Sequence, residues 1–270
     1  MKKKVVAVMS DIHGYQYEHI CLINKIKEKH EIIQYIYLGD LIDRGPWVKW
    51  VLRFARSLME SNVPVIFLLG NHENGLMVWL NTNNKTILKD WLKNGGKETM
   101  KSLTGSKYAP YALQDAIEEY MPVFDSMKYY HVQCIGDKTF VFSHSGGGSG
   151  TLDKILDGKK LTHDDLEDLM YSRQRYLHGG VGRNNTFYVY GHTPVHYASD
   201  RDGMEPLIMW DANGTSADID IDTGCYCSKA LSALVIDAET GQFETASFPF
   251  TVQPEEGEPN YYEYMKMVEA

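Results

Sequence analysis

The sequence predicts an α/β protein built on two packed mixed β-sheets flanked by helices, and three observations predict it. Short, almost continuously apolar runs rich in β-branched and aromatic residues recur along the chain, as expected of strands covered on both faces. Helix-period segments separate the first three runs, an alternation that produces parallel βαβ units with right-handed crossovers. From residue 207 the chain turns to strands divided by Gly, Asn and Asp turns.

Residues 4–9 form the first predicted strand and run into Ser10-Asp11-Ile12-His13-Gly14. A helix is expected over 18–29. The strand at 35–38 leads into Gly39-Asp40-Leu41-Ile42-Asp43-Arg44-Gly45, followed by a helix over 47–60. The strand at 63–69, with Pro64 near its start, leads into Gly70-Asn71-His72-Glu73. Residues 74–121 read as helical, with Leu76, Met77, Leu80, Ile87, Leu88, Trp91 and Leu92 at helix spacings. Strands at 139–143 and 187–190 end in His144-Ser145-Gly146 and Gly191-His192-Thr193-Pro194, with a short helix predicted over 161–176 between them. Strands at 207–210, 218–222, 231–236 and 243–248 complete the β-rich half. Residues 1–253 are assigned to one domain, and 254–270, acidic and Pro-containing, to a peripheral tail.

The 270 residues include 27 Lys and Arg against 36 Asp and Glu, a net charge of −9 that excludes a chain-wide basic footprint for nucleic acid. Hydrophobic residues make up 43%, enough to exclude wholesale disorder. After the N-terminal lysines the apolar run stops at Met9, too short for a secretory h-region. No stretch reaches the ~18–20 apolar residues that cross a bilayer. Cys21, Cys134, Cys225 and Cys227 lack a disulfide-framework spacing. The expectation is a cytoplasmic protein with reduced thiols and with neither nucleic acid nor membrane as partner; its oligomeric state has no sequence signature.

Five strand-ending loops supply Asp, Asn or His beside Gly, and ligands bind at the carboxyl ends of strands in α/β sheets. His13, His72, His144 and His192 sit in these loops with Asp11, Asp40 and Asn71. Oxygen and imidazole donors without thiolate suit Mn, Fe, Zn or a similar ion. Asp11 and His13, two apart on extended chain, are expected to point the same way and hold one ion. Asp40 has two carboxylate oxygens and can bridge to a second ion completed by Asn71, His144 and His192. Two ions ~3.5–4 Å apart would clamp a phosphate and generate a hydroxide near neutral pH.

In this order, Asp11-Ile12-His13-Gly14, Gly39 to Gly45, Gly70-Asn71-His72-Glu73, His144 and Gly191-His192-Thr193 resemble the calcineurin-like metallophosphoesterases. More narrowly they resemble the phosphoprotein phosphatase branch with its bacterial and phage members. The resemblance spans roughly 5–236 and is reinforced by Trp91-Leu92-Lys93-Asn94-Gly95-Gly96, Tyr171-Ser172-Arg173-Gln174-Arg175-Tyr176 and Ile221-Asp222-Thr223-Gly224. It implies the metallophosphoesterase β-sandwich and a dinuclear centre. Asp11, His13 and Asp40 would bind one metal, and Asp40, Asn71, His144 and His192 the other. Mn is the implied metal, with Fe, Zn, Co or Ni as alternatives. Arg44 and Arg173 match phosphate-clamping arginines, with Arg175 in reserve for the second, and Asn71 and His72 also face the substrate. His72 matches the general acid that protonates the leaving-group oxygen, with Asp43 holding its ring. Asp222 resembles a supporting residue outside the site. The implied reaction is phosphomonoester hydrolysis by in-line attack of a metal-bridging hydroxide, with no phosphoenzyme, on a phosphorylated protein or small phosphoester.

The sequence departs from broader relatives at Gly191-His192-Thr193-Pro194, which lacks the second histidine of Gly-His-x-His and so favours the phosphatase branch; His196 is read as loop. Symmetrical diadenosine tetraphosphate hydrolases usually replace the aspartate of Asp-Arg-Gly, so Asp43 favours a Ser/Thr protein phosphatase over that alternative. A catalytically silent binding module is disfavoured because every metal and phosphate residue is intact. Residues 146–150 are read as a mobile turn without a helix onset, and Cys225-Tyr226-Cys227 as two buried thiols in a β-turn.

Overall fold

A computed structural model describes residues 2–175, 183–198, 202–253 and 261–269. Strands β1 (Lys3–Met9), β2 (His30–Tyr37), β3 (Val65–Phe67), β9 (Ala230–Asp237) and β10 (Phe243–Pro249) form one sheet, in the order β10-β9-β1-β2-β3. The other sheet contains β4 (Tyr130–Ile135), β5 (Lys138–Ser143), β6 (Thr186–Tyr190), β7 (Leu207–Trp210) and β8 (Ala217–Asp220), ordered β4-β5-β6-β8-β7. Both are mixed: β1, β2 and β3 are parallel, β9 is antiparallel to β1 and β10 antiparallel to β9, while β5, β6 and β8 are parallel with β4 antiparallel to β5 and β7 to β8. The expected two-sheet α/β architecture is what forms.

The period-2 geometry of a strand explains why these runs look continuously apolar. Val5, Ala7 and Met9 of β1 face helices α1 (Gln16–Lys29) and α2 (Val48–Glu60) in one core cluster. Val6 and Val8 face the opposite way, into an inter-sheet cluster with Ile36, Leu38, Phe140, Phe142, Phe187 and Val189. On the outer side of the second sheet, Val141 and Tyr188 pack with Leu152, Ile155 and Leu169. Packing the two sheets face to face brings their strand ends to one edge of the sandwich.

Several elements differ from expectation. β2 starts at His30, because its first residues pair with Lys3–Val5 across a bulge at Val5/Val6 that the weak alternation of residues 30–34 conceals. β3 keeps only three residues: it starts after Pro64, which has no N–H to donate, and beyond Phe67 the chain turns to an isolated bridge between Leu68 and Lys128. β4, a half-buried hairpin partner of β5, is an additional strand in which Tyr130, Val132 and Cys134 alternate with His131 and Gln133. The stretch 74–121 breaks into α3 (Asn71–Thr82), α4 (Lys85–Trp91), a π-turn (Leu92–Gly96), α5 (Lys97–Thr104), α6 (Pro110–Ile117), a 3-10 turn and α7 (Met121–Asp125). Residues 146–148 are buried rather than a loose turn, and helix α8 (Ser149–Leu156) starts directly after them. The 161–176 helix is α9 (His163–Tyr171), opened by a capping box between Thr162 and Asp165; Tyr176 lies outside the described residues. His196 sits in a short helix, α10 (Val195–Ala198), rather than in a loop. Within the C-terminal segment, α11 (Tyr261–Glu269) buries Tyr264 and Val268, and Tyr264 stacks on Tyr17 of α1 at 4.4 Å.

Candidate metal centre

The loops after β1, β2, β3, β5 and β6 converge at one edge of the sandwich. Asp11 and His13 do not lie on extended chain as expected: their φ values are 52° and 46°. Asp40, Asp43, Arg44 and His192 also take left-handed backbone, at φ 55°, 70°, 67° and 75°. Six non-glycine residues in a conformation costing of order 1 kcal/mol or more each mark a site whose surroundings over-determine it. Gly191 allows the close approach of the two sheets here, since a Cβ on it would lie 2.3 Å from Asp11 Oδ2.

One carboxylate oxygen is the hub. Asp40 Oδ2 lies 3.5 Å from His13 Nε2, 3.8 Å from His72 Nε2 and 3.4 Å from His144 Nε2. It therefore belongs to two groups, His13–Asp40–His72 and Asp40–His144–His192, each with its donor atoms within 4.8 Å of one another. Asn71 Oδ1 is 3.0 Å from His144 Nε2 and 2.9 Å from His192 Nδ1. Asp11 Oδ1 stands 3.8 Å from His13 Nε2. The backbone N–H of His72, in the first turn of α3, donates to Asp40 Oδ1 at 3.1 Å, which adds the positive end of that helix.

The donor set fits a pair of cations. His13 Nδ1 lies 2.8 Å from the Ile42 carbonyl and His144 Nδ1 2.9 Å from that of Leu38, so both rings donate there and turn Nε2 inward. Buried Asp11 Oδ1 has no hydrogen-bond partner. Burial and the Asp40 charge push the Asp11 carboxyl above its usual range. Burial alone would raise Asp40 too, but His144 and His72 outweigh it and hold that carboxyl well below the ordinary range. The reverse balance pushes His144 up to about 9: burial opposes its charge, and Asp40 wins. His192 is pulled down to about 3 by burial and by His144. Oxygen and imidazole donors without thiolate, aimed at a dry focus, suit borderline divalent ions.

Around this core, His72 Nδ1 bonds Asp43 Oδ2 at 2.7 Å. Burial disfavours the imidazolium, but Asp40 and Asp43 outweigh it and raise the His72 pKa. Arg44 places its two terminal nitrogens 2.9 Å from His13 Nε2 and 2.9 Å from His72 Nε2. Its backbone N–H donates to the carbonyl of Gly95, in the π-turn, at 3.1 Å. Gly95 has φ 114°, and a Cβ there would sit 2.7 Å from Arg44 Cγ, so the Trp91–Gly96 motif shapes the Arg44 seat.

Asp11, His13, Asp40, Asp43, Arg44, Asn71, His72, His144 and His192 thus meet in space. Arg173 is exposed at the rim, and its charge contributes to holding His192 neutral. Arg175 is committed elsewhere: it is buried, donates to Asp218 and lies 4.2 Å over the Tyr188 ring. Three contributors had no assigned role in the sequence. Glu73 accepts the backbone N–H groups of Asp40, Leu41 and Ile42; its signal was its place in Gly70-Asn71-His72-Glu73. Thr99 donates to Asp43 Oδ1 and accepts the Asp43 N–H, with no local signal. Tyr226 lies 3.9 Å under the Arg44 guanidinium and edge-on to His13. It comes from the Cys225–Cys227 3-10 turn, where only Cys225 is fully buried.

The calcineurin-like phosphoesterase family profile matches residues 4–219, four-fifths of the chain. The chain belongs to this family. It is therefore a phosphoester hydrolase, with a fold that carries divalent-metal chemistry. Among similar proteins is the asymmetrical bis(5'-nucleosyl)-tetraphosphatase PrpE of Bacillus subtilis (strain 168), 25% identical over 92% of this chain and 96% of that protein. The protein of the same name from Bacillus velezensis is 27% identical over 83% and 86%. Among solved structures, a Saccharomyces cerevisiae serine/threonine phosphatase with similarity to human PP5 superposes with a TM-score of 0.58 at 18% identity, over 97% of this chain and 84% of that one. A provisionally named diadenosine tetraphosphatase gives 0.55 at 17% identity over 93% and 99%. No helix among the described residues is long and apolar enough to cross a membrane.

Proposed function

We propose that this chain is a dinuclear metal-dependent phosphomonoesterase of the Ser/Thr protein phosphatase type, acting by direct hydrolysis. The observation that carries the reading is the sharing of Asp40 Oδ2 between two groups of imidazole donors. Asp11, His13 and Asp40 hold one cation, and Asp40, Asn71, His144 and His192 the other; manganese is the proposed occupant. Cations there supply Lewis acidity toward phosphoryl oxygens and make water acidic enough to act as nucleophile near neutral pH. Arg44 and Arg173 grip the phosphate oxygens, Arg44 from a seat made by Gly95 and Tyr226. His72 is the proposed acid for the leaving-group oxygen, its ring fixed by Asp43 and Asp43 by Thr99; Nε2, here 2.9 Å from an Arg44 terminal nitrogen, takes the proton when Arg44 turns to the phosphate.

Asp43 in hydrogen-bond contact with His72 supports a protein phosphatase, because the symmetrical dinucleotide hydrolases usually lack that aspartate. A second reading, hydrolysis of dinucleoside polyphosphates, is favoured by the names of the Bacillus relatives. Turnover of phosphoserine and phosphothreonine peptides against diadenosine tetraphosphate, at matched Mn, decides between them. Preference for the dinucleotide overturns the first reading, and absence of ester cleavage with any divalent ion overturns both. A cytoplasmic location is part of this proposal, supported by four cysteines without a disulfide-framework spacing.

A further inference from the structure

Beside the proposed centre lies a cleft of about 460 Å³ that shares Arg44 with it and is otherwise lined by Trp47, Lys49, Trp50, Lys101, Lys107 and their neighbours. Trp47, Lys49 and Trp50 belong to the start of α2, directly after Asp43-Arg44-Gly45, and Lys101 to α5. The two helices are stapled at the cleft by the Lys49 N–H donating to Ser102 Oγ at 3.0 Å. The acidic wall residue Glu98 is spent on Lys107, 2.7 Å away. Lys49 and Lys101 carry no ion pair among the described residues, so the cleft is net positive in a chain of net charge −9.

We propose that this cleft binds the acidic residues that flank the phosphorylated residue of a protein substrate, making the enzyme selective for phosphosites in acidic surroundings. This rests on the protein-phosphatase reading above. A substrate whose phosphate meets Arg44 must run its chain past one of the adjoining surfaces, and this one has far more room than a single phosphoryl group needs. Flexible lysine point charges suit carboxylates of variable position, where a guanidinium fork would demand a fixed one. One face of Trp50 is covered by the Arg53 guanidinium at 4.8 Å, and Trp47 is pinned by its Nε1–H donating to Tyr264 Oη at 3.2 Å, so the lysines supply the free recognition groups of the cleft.

The test uses the full chain loaded with Mn and three phosphothreonine peptides with Asp/Glu, neutral or Lys flanks. The acidic peptide should show a KM about fivefold below the neutral one at low salt, with the gap closing at high salt. In Lys49→Glu and Lys101→Glu, and most in the double variant, its KM should rise about fivefold per lysine with kcat unchanged. Turnover of p-nitrophenyl phosphate should stay at the parental level in all three variants, showing that the fold and centre are intact. Equal KM values for acidic and neutral peptides overturn this inference and leave the phosphatase reading standing. So does a variant that weakens diadenosine tetraphosphate alone, which makes the cleft a nucleotide subsite. Failure to cleave any phosphopeptide, with p-nitrophenyl phosphate still turned over, removes both.

Discussion

The two sheets contribute to the centre unequally. The loops after β1 and β2 are braced to each other: the Asp11 N–H donates to the Gly39 carbonyl at 3.1 Å, His13 to Asp40 at 2.9 Å, Gly14 to Leu41 at 2.9 Å and Gly45 back to His13 at 2.8 Å. Glu73 ties down the Asp40 loop with three further acceptor contacts. The second sheet offers His144 and His192 from two strand ends, linked by the Gly191 N–H donating to the His144 carbonyl at 2.8 Å. Their distance from Asp40 is set by the inter-sheet core around Phe140, Phe142 and Phe187 and by two bonds across the sheets, His144 Nδ1–H to the Leu38 carbonyl at 2.9 Å and the His192 N–H to Asp11 Oδ2 at 3.0 Å. One half of the site is locked by a ladder of loop-to-loop bonds; the other relies on two bonds across the sheets and on the packing between them.

The largest effect should come from the residue common to both halves. Asp40→Asn is expected to lower turnover at least ~10³-fold and to weaken both cations together; calorimetric titration that still finds two full sites overturns the bridging role. Phe142→Ala tests the unequal bracing. It should cost about 3–5 kcal/mol of stability and, at temperatures where the chain stays folded, weaken the cation held by His144 and His192 more than the other. Equal weakening means that the second sheet is not the softer half. His72→Asn should reduce turnover of poor leaving groups by about 10²–10⁴-fold and of p-nitrophenyl phosphate far less; equal losses remove it as the acid. Thr99→Val, which frees Asp43 on the braced side, is expected to cost about 10–100-fold with metal occupancy retained. A simultaneous loss of metal would show Thr99 to be merely structural.

A further effect lies away from the centre and bears on stability alone. Burial pushes the Glu18 carboxyl up to about 7, although it accepts the Thr251 N–H. Its unfolded pKa is ~4.3, so between there and about 7 the folded chain binds more protons and stability falls as pH rises. Neighbouring His19, pulled down to about 3 by burial, has the opposite sign: stability falls as pH drops below ~6.5. Glu18→Gln should therefore remove up to about 4 kcal/mol of loss on the alkaline side and leave the acid arm unchanged in denaturation curves from pH 4 to 8. An unchanged alkaline arm refutes the buried carboxylate as its cause.

Much of the centre was legible from residue type because strand ends and ligands share a local code. An apolar run followed by Asp, His or Asn beside Gly places both the strand and the donor, and seven expected residues meet on that basis; Asp43 and Arg44, which join them, were implied by the family resemblance. What could not be read is of two kinds. Local conformation departs from expectation at β4, at α8 behind a run of glycines, and at the left-handed turns of Asp11 and His13. Long-range partners had no local trace, and Arg175, two residues from Arg173, lies inside the second sheet on Asp218.

The amino-acid sequence by itself determined which donors exist, the strand periodicity that buries both sheet faces, and the family. Tertiary structure decided that one oxygen of Asp40 serves two donor groups, that Thr99 and Tyr226 complete the setting of Asp43 and Arg44, and that Lys49 and Lys101 make a basic cleft on an acidic chain. The physical reason is range. Periodicity and turn chemistry act over a few residues, whereas a shared ligand or a local excess of charge depends on side chains that only packing brings together.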